Sequence, residues 1–392
     1  MSFDPFGRSH DLAKLAAEGF ELELTQAGHL LIRSVPFRTA TGGVERGTIV
    51  IKVELNGDIT VNPVDDHSAR FIGLAPCNAA GVLRAVVNSS DQQIEPGLTV
   101  NHVLSRKLRD DRKYSDYYAK ARAYVHLIER PAKALDPSVD ARTFGPCVVR
   151  SENWPFEYVD TASGRAGIGA ISAKLALSKI AIVGLGGTGA YILDLVAKCP
   201  VEEIHLFDGD KFSTHNAFRA PGAASLDQLR LGSPKVEYLK EIYSRMKRRI
   251  VAHSYNINAD NVNELAGFSF VFLAMEGGDV KRQIVDALEA MGASFVDSSL
   301  GVVRPKADDR LVAQVQISGS FPEDRETFRR KVDFGKLEED DPYEQNIQIA
   351  ELNALNAALA VLWWKKLAGI LYERSRRSHQ RLNIAFNKLS TE

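Results

Sequence analysis

Two hydrophobic rhythms divide this chain. From residue 10 to about 145, apolar and polar residues alternate in the runs FELELTQAGHLLIRSVPF, RGTIVIKVELNGDITV and ARFIGLAPCNAAGVLRAVV, with Gly, Asn and Asp between them. Period-two alternation bounded by turn residues predicts an antiparallel sheet. One short helix precedes it, and YYAKARAYVHLIERPAKAL carries apolar and aromatic residues at helical spacing, which predicts a core-facing helix within about Tyr114 to Leu135. Residues 1–145 therefore read as an α+β accessory domain. The segment DPSVDARTFGPCVVRSENWPF then breaks the rhythm with three prolines and a glycine, and 146–159 is read as the linker.

From residue 160 the pattern changes. KIAIVG, EIHLFDGD, IVAHSYNI, FSFVFLAM and ASFVDSSLG are short apolar runs separated by helix-length segments, the pattern of a parallel sheet with crossover helices. An α/β, doubly wound, mostly parallel sheet is expected over 160–374, followed by a basic tail over 375–392. Phe321 to Pro342 is charged and poor in apolar residues and reads as a solvent-exposed crossover segment. Near the end, Leu352 to Trp364 runs 13 residues without a charge, short of the roughly 20 that cross a bilayer. It is read as a core helix, with Leu352, Leu355, Leu359, Leu362 and Leu367 near one side, and no membrane partner is expected.

Composition narrows the function classes. A chain of 392 residues with 45% hydrophobic and 25% charged residues is an ordinary globular sequence with room for two domains. Its 49 basic and 50 acidic residues nearly cancel, which excludes an electrostatically driven nucleic-acid binder. The opening MSFDPFGRSHDLAK lacks a basic start followed by an apolar run, so export is not expected. Cys77, Cys147 and Cys199 are too widely spaced for a disulfide framework or a zinc site, and a reducing, cytoplasmic setting fits them.

The chemistry gathers in the second half. In KIAIVGLGGTGAYILDL a strand, a glycine turn and a helix start follow one another, so that Gly184, Gly186, Gly187 and Gly189 let backbone approach a phosphate while the helix offers free N–H groups. Asp208 follows about twenty residues later, where a ribose-binding acid belongs. NAD dehydrogenases and ATP-using adenylating enzymes both share this beginning. Asn216, Arg219 and Lys235 separate the two, because a triphosphate under attack needs cations that a dinucleotide does not require.

Taken in order, GLGGTG, DGD, HNAFR and GSPK resemble the ATP site of the ThiF/MoeB family and of the ubiquitin-activating enzymes built on the same domain, where the pattern reads GxGGxG, DxD, SNLNRQ and GxPK. The resemblance covers roughly 160 to 371. It implies a Rossmann-like fold and an ATP- and Mg²⁺-dependent adenylation of the C-terminal glycine carboxylate of a ubiquitin-like protein, for onward transfer to a ubiquitin-conjugating-like enzyme or other acceptor. On that resemblance Asp208 binds the ribose, Asp210 helps place phosphates and metal, and Asn216, Arg219 and Lys235 hold the phosphates. Arg165 falls where the family often has an arginine on a leading helix that enters the partner subunit's site, which implies a homodimer with the C-terminal helix at its interface or in its own core. The family's metal-binding aspartate is replaced by Glu276, with Asp279 as the alternative ligand.

Thioester-forming members carry a cysteine after that acid, and this chain has none after Cys199. Three routes stay open: release of the adenylate to another protein, an oxygen nucleophile among Ser298, Ser299, Ser318, Ser320 and Thr327, or Cys77 or Cys147 in the first domain. A degenerate ubiquitin-conjugating-like fold is one alternative for that domain. A scaffold that binds a ubiquitin-like partner, or an enzyme adenylating a peptide or small carboxylate, are the other function classes.

Overall fold

The computed structural model of the protein describes residues 3–61, 66–108, 113–149, 154–166, 168–176, 178–305, 309–332, 334, 347–374 and 376–392. These form two compact units, Met1–Ala173 and Lys174–Glu392. No helix among the described residues is long and apolar enough to cross a membrane.

In the first unit, helix α1 (His10–Ala17) leads into strands β1 (Leu22–Leu24), β2 (His29–Arg38), β3 (Val44–Lys52), β4 (Ser68–Ile72), β5 (Val86–Glu95) and β6 (Leu98–Ser105). Helix α2 (Tyr117–Lys133), strand β7 (Cys147–Val149) and two short helices, α3 (Thr161–Ala166) and α4 (Gly169–Ser172), follow. The sheet runs β7-β1-β2-β3-β4-β6-β5, antiparallel except for the parallel β1 and β7 pair. Asp116 caps α2 by accepting from the Ala119 N–H (2.6 Å), and Tyr117, Ala121, Tyr124, Val125 and Ile128 form its buried stripe. That stripe shares one core with Leu22, Leu30, Ile32, Ile49 and Ile51 of the strands.

In the second unit, β8 (Lys179–Val183), α5 (Gly187–Ala197), β9 (Glu203–Phe207), α6 (Thr214–Ala217), α7 (Leu226–Leu231), α8 (Lys235–Tyr243) and β10 (Ile250–His253) are followed by β11 (Phe270–Leu273) and α9 (Asp279–Ala290). The chain continues through β12 (Phe295–Val303), β13 (Val312–Ser320), α10 (Glu326–Lys331), α11 (Ala350–Leu367), β14 (His379–Asn383) and β15 (Lys388–Thr391). The sheet order is β10-β9-β8-β11-β12-β13-β14-β15, parallel through β12 and antiparallel beyond it. Ile180 and Ile182 face a core shared with α5, α8 and α11, while Ala181 and Val183 face one shared with α9 and α10. Burial on both faces explains why these strands read as continuous apolar runs. The chain leaves β8 for β9 on one side and returns to β11 on the other, which opens a crevice above the strand ends, the usual ligand position in such sheets.

Three features depart from the sequence expectations. Residues 160–173 belong to the first unit, since the Asp160 N–H donates to the Gln26 carbonyl (3.2 Å) and Gly169 lies against β5. The segment read as a solvated crossover folds in its first part into α10, with Phe321 and Phe328 buried; the rest, from 335, lies outside the described residues. Most of the basic tail is not a tail: β14 pairs with β13 and β15 with β14, so backbone hydrogen bonds satisfy what would be a bare sheet edge. Trp363 and Trp364 of α11 are buried against the sheet, and the Trp363 indole donates to the Arg377 carbonyl (2.7 Å). The C-terminal helix is thus part of its own chain's core.

One buried cation gives this unit a pH signature. Lys247 is fully buried and donates to the Cys199 and Val201 carbonyls (3.0 and 2.5 Å) just past α5. Burial pushes its ammonium down from 10.5 to about 7. Between those values the unfolded chain holds a proton that the folded chain has released, so this residue makes stability rise with pH across the window. Urea unfolding at about pH 7 and about pH 10 should show a rise in wild type that Lys247→Met lacks; parallel profiles would count against it.

Candidate functional site

The site is built where β8 and β9 end. Gly184 has φ +89°, and a Cβ there would lie 2.5 Å from the Ala274 carbonyl oxygen, so the turn admits only glycine. A Cβ on Gly189 would lie 1.9 Å from the Gly184 oxygen, which lets α5 start close against the strand. Gly186 differs: nothing lies within 4 Å of where its Cβ would be. No side chain caps α5, so its first N–H groups lack a side-chain acceptor, and a helix start of this kind suits an anion.

Asp208 is buried and joins the loop to the next strand. Its Oδ2 accepts from the Leu185 N–H (2.7 Å) and its Oδ1 from the Asp210 N–H (2.9 Å). Lys235, the first residue of α8 and also buried, places Nζ 2.7 Å from Asp210 Oδ2 and 3.5 Å from Asp208 Oδ1. Backbone pairing explains how two distant motifs meet: the Lys235 N–H donates to the Asp210 carbonyl (2.9 Å) and the Phe212 N–H to the Ser233 carbonyl (2.8 Å). The structure therefore brings Gly184, Gly186, Gly189, Asp208, Asp210 and Lys235 together at one crevice mouth.

Asn216 and Arg219 sit on and just past α6. A capping box orients Asn216, whose Oδ1 accepts from the Ser213 N–H and hydroxyl (both 2.9 Å). Its Nδ2 and the Arg219 Nε are buried donors with no partner. Unpartnered buried donors beside a cation are a good fit to anionic oxygens. Glu276, just beyond β11, and Asp279, opening α9, are both exposed. Among the described residues no group of three or more His, Cys, Asp or Glu side chains is placed to hold a metal. Arg165 lies on α3, and its side chain falls outside the described residues.

The candidate nucleophiles are placed differently. Ser318 and Ser320 are buried, with their hydroxyls on His379 Nδ1 and Glu289 (both 3.0 Å), and the Ser299 hydroxyl donates to Asp297 (2.8 Å). Ser298 Oγ is buried without a partner. Cys77 and Cys199 are buried, and burial pushes the Cys147 thiol above its ordinary value, away from reactive thiolate.

Sequence reasoning missed two elements. Lys281 of α9 and Asp297 of β12 form an ion pair at 2.5 Å with both side chains almost wholly buried. An aspartate inside the apolar run ASFVDSSLG was the available signal. Asn353 of α11 packs against the glycine loop, its Oδ1 accepting from the Thr188 hydroxyl (2.8 Å). Nothing local in the sequence marks that contact.

Both parts of the chain are similar to known proteins. Residues 10–161 match a domain of unknown function (DUF6791). A ubiquitin-like modifier-activating enzyme 5 from Drosophila persimilis is 32% identical over 119 residues, 28% of this chain and 29% of the relative, so the match spans under a third of that protein. Solved structures similar to the chain include PaaA (16% identical, TM-score 0.45, 57% of this chain and 65% of that one) and Escherichia coli MccB with ATP (16%, 0.45, 62% and 71%). Residues 163–369, more than half of the chain, match the ThiF family, and with its glycine loop, paired aspartates and lysine converging at the switch point of a doubly wound sheet, the chain belongs to that family.

Proposed function

We propose that this protein is an adenylyltransferase that uses ATP to activate a carboxylate, and that its substrate is the C-terminal carboxylate of a ubiquitin-like protein. The observation that carries the reading is the meeting of Asp208, Asp210 and Lys235 with the glycine turn, beside the open face of Gly186; the unpartnered donors of Asn216 and Arg219 belong to the same connection between β9 and α8. Asp208 is the ribose acceptor, and the Gly186–Gly187 turn with the first N–H groups of α5 cradles phosphate. Asn216, Arg219 and Lys235 take the remaining phosphate oxygens. The substrate carboxylate oxygen attacks the α-phosphorus, the bond from that phosphorus to the bridging oxygen breaks, and pyrophosphate leaves with both electrons.

Such a step asks for alignment and charge screening rather than covalent help from the protein. Lys235, with its ammonium between Asp208 and Asp210, is the cation assigned to the charge that develops on pyrophosphate. Asp210, beyond β9, and Glu276, beyond β11, flank β8 and would hold Mg²⁺ through their carboxylate oxygens. Bound there, the metal would supply charge neutralisation. Arg165 is assigned to the site of a second copy in a homodimer, and a ubiquitin-conjugating-like enzyme is the onward acceptor. The name of the 32% identical relative supports a ubiquitin-like substrate.

ATP-pyrophosphate exchange tests this. Exchange should require a ubiquitin-like protein with a free C-terminal glycine and collapse in Asp208→Ala. Exchange with short peptides alone would move the substrate to a peptide carboxylate. ATP binding with no exchange for any partner would favour a scaffold.

A further inference from the structure

We infer that Asn353 is a positioning residue of the phosphate site, an oriented carboxamide that α11 inserts beneath the first turn of α5. The inference rests on the nucleotide reading above and adds to it an element from the far end of the chain. Asn353 is fully buried. Its Oδ1 is held by the Thr188 hydroxyl at 2.8 Å, while its Nδ2 has no acceptor. A Cβ on Gly187 would lie 2.1 Å from that Nδ2, so the amide fills the space a side chain at 187 would occupy. One turn along α11, Asn356 Nδ2 donates to the Ser299 carbonyl (3.1 Å) and ties the helix to β12.

The orientation of this amide has an electrostatic consequence. With its oxygen tied to Thr188, its positive end faces the first residue of α5, where the helix already presents positive partial charge. In the free protein a buried donor without an acceptor is unfavourable. An anion in the cradle above offsets that. Asn353 thus holds the loop in shape through Thr188 and biases it toward phosphate, acting through α5 rather than by touching the nucleotide.

The test is a titration of the full chain with Mg-ATP and, separately, adenosine. Asn353→Asp keeps the acceptor for Thr188 and removes the donor, so ATP affinity should fall about tenfold or more, the size of a partly buried helix-dipole effect, while adenosine affinity stays. Thr188→Val/Asn353→Leu replaces both partners by apolar groups of similar shape. Its urea midpoint without ligand should be unchanged or higher while ATP affinity falls, an opposition that a merely structural pair would not produce. Thr188→Ser should recover the affinity lost in Thr188→Val. Undiminished ATP affinity in folded Asn353→Asp, or equal loss of ATP and adenosine, overturns the inference alone. Should Asn353→Asp fail to fold, the double variant decides by the same criteria. Wild-type protein that binds neither ligand overturns the nucleotide reading and this inference with it.

Discussion

Lys235→Ala should lower partner-dependent ATP-pyrophosphate exchange by about 10²–10³-fold, the cost of removing one preorganised charge at a developing anion. The domain should stay folded, because Asp208 keeps the Leu185 and Asp210 N–H donors when the ammonium is lost. Lys235→Arg is expected to recover little. The pocket leaves the native side chain 8% exposed, and a planar fork cannot repeat a point charge set between two carboxylates. Exchange measured beside urea unfolding separates chemistry from folding. Exchange at wild-type rates in Lys235→Ala would remove this residue from the reaction and leave the adenylation site without its central cation.

Lys281→Met should cost about 3–5 kcal/mol of stability, the range found when one partner of a buried ion pair is removed. The variant strands the Asp297 carboxylate at 1% exposure with the Ser299 hydroxyl as a neutral donor. Lys281→Met/Asp297→Leu should regain most of that loss, because a buried pair is worth little against an apolar replacement of similar size. Urea unfolding of both variants measures the difference. A single variant as stable as wild type would mean that water reaches Asp297. Since β12 runs beside β11 and carries the Ser299 carbonyl that Asn356 grips, the single variant should also weaken ATP binding by loosening the strand ends.

Legibility in the sequence followed the range of the interactions. The glycine turn was legible because Gly184 and Gly189 answer to backbone within their own strand-turn-helix unit and the neighbouring strand end. The five parallel strands were legible as apolar runs because both faces are covered. Asp208 could be proposed from its spacing after the glycines and Asn216 and Lys235 from their residue type and the resemblance of their motifs, and the tertiary structure added how Asp208 and Lys235 meet, through the pairing of the 210–212 and 233–235 backbones. Strand β14 was not legible: His379, Gln380 and Arg381 carry no alternation of apolar and polar residues, and what holds the strand is the edge of β13. The same is true of residues 160–173, whose helical character is local but whose attachment to the first unit is not.

By itself the sequence determined the two grammars of strand and helix and the tight glycine turn between β8 and α5, and its four ordered motifs carried the resemblance to a known family. The strands, helices and turn rest on periodicity and glycine geometry, which act between near neighbours and leave a trace in the text. Only the tertiary structure decided that α11 buttresses the loop from 165 residues away, that Lys281 and Asp297 share a dry interior, and that the chain's last strands complete its sheet. Those contacts join residues whose covalent neighbourhoods are unrelated, so folding alone brings their charges and amides within reach.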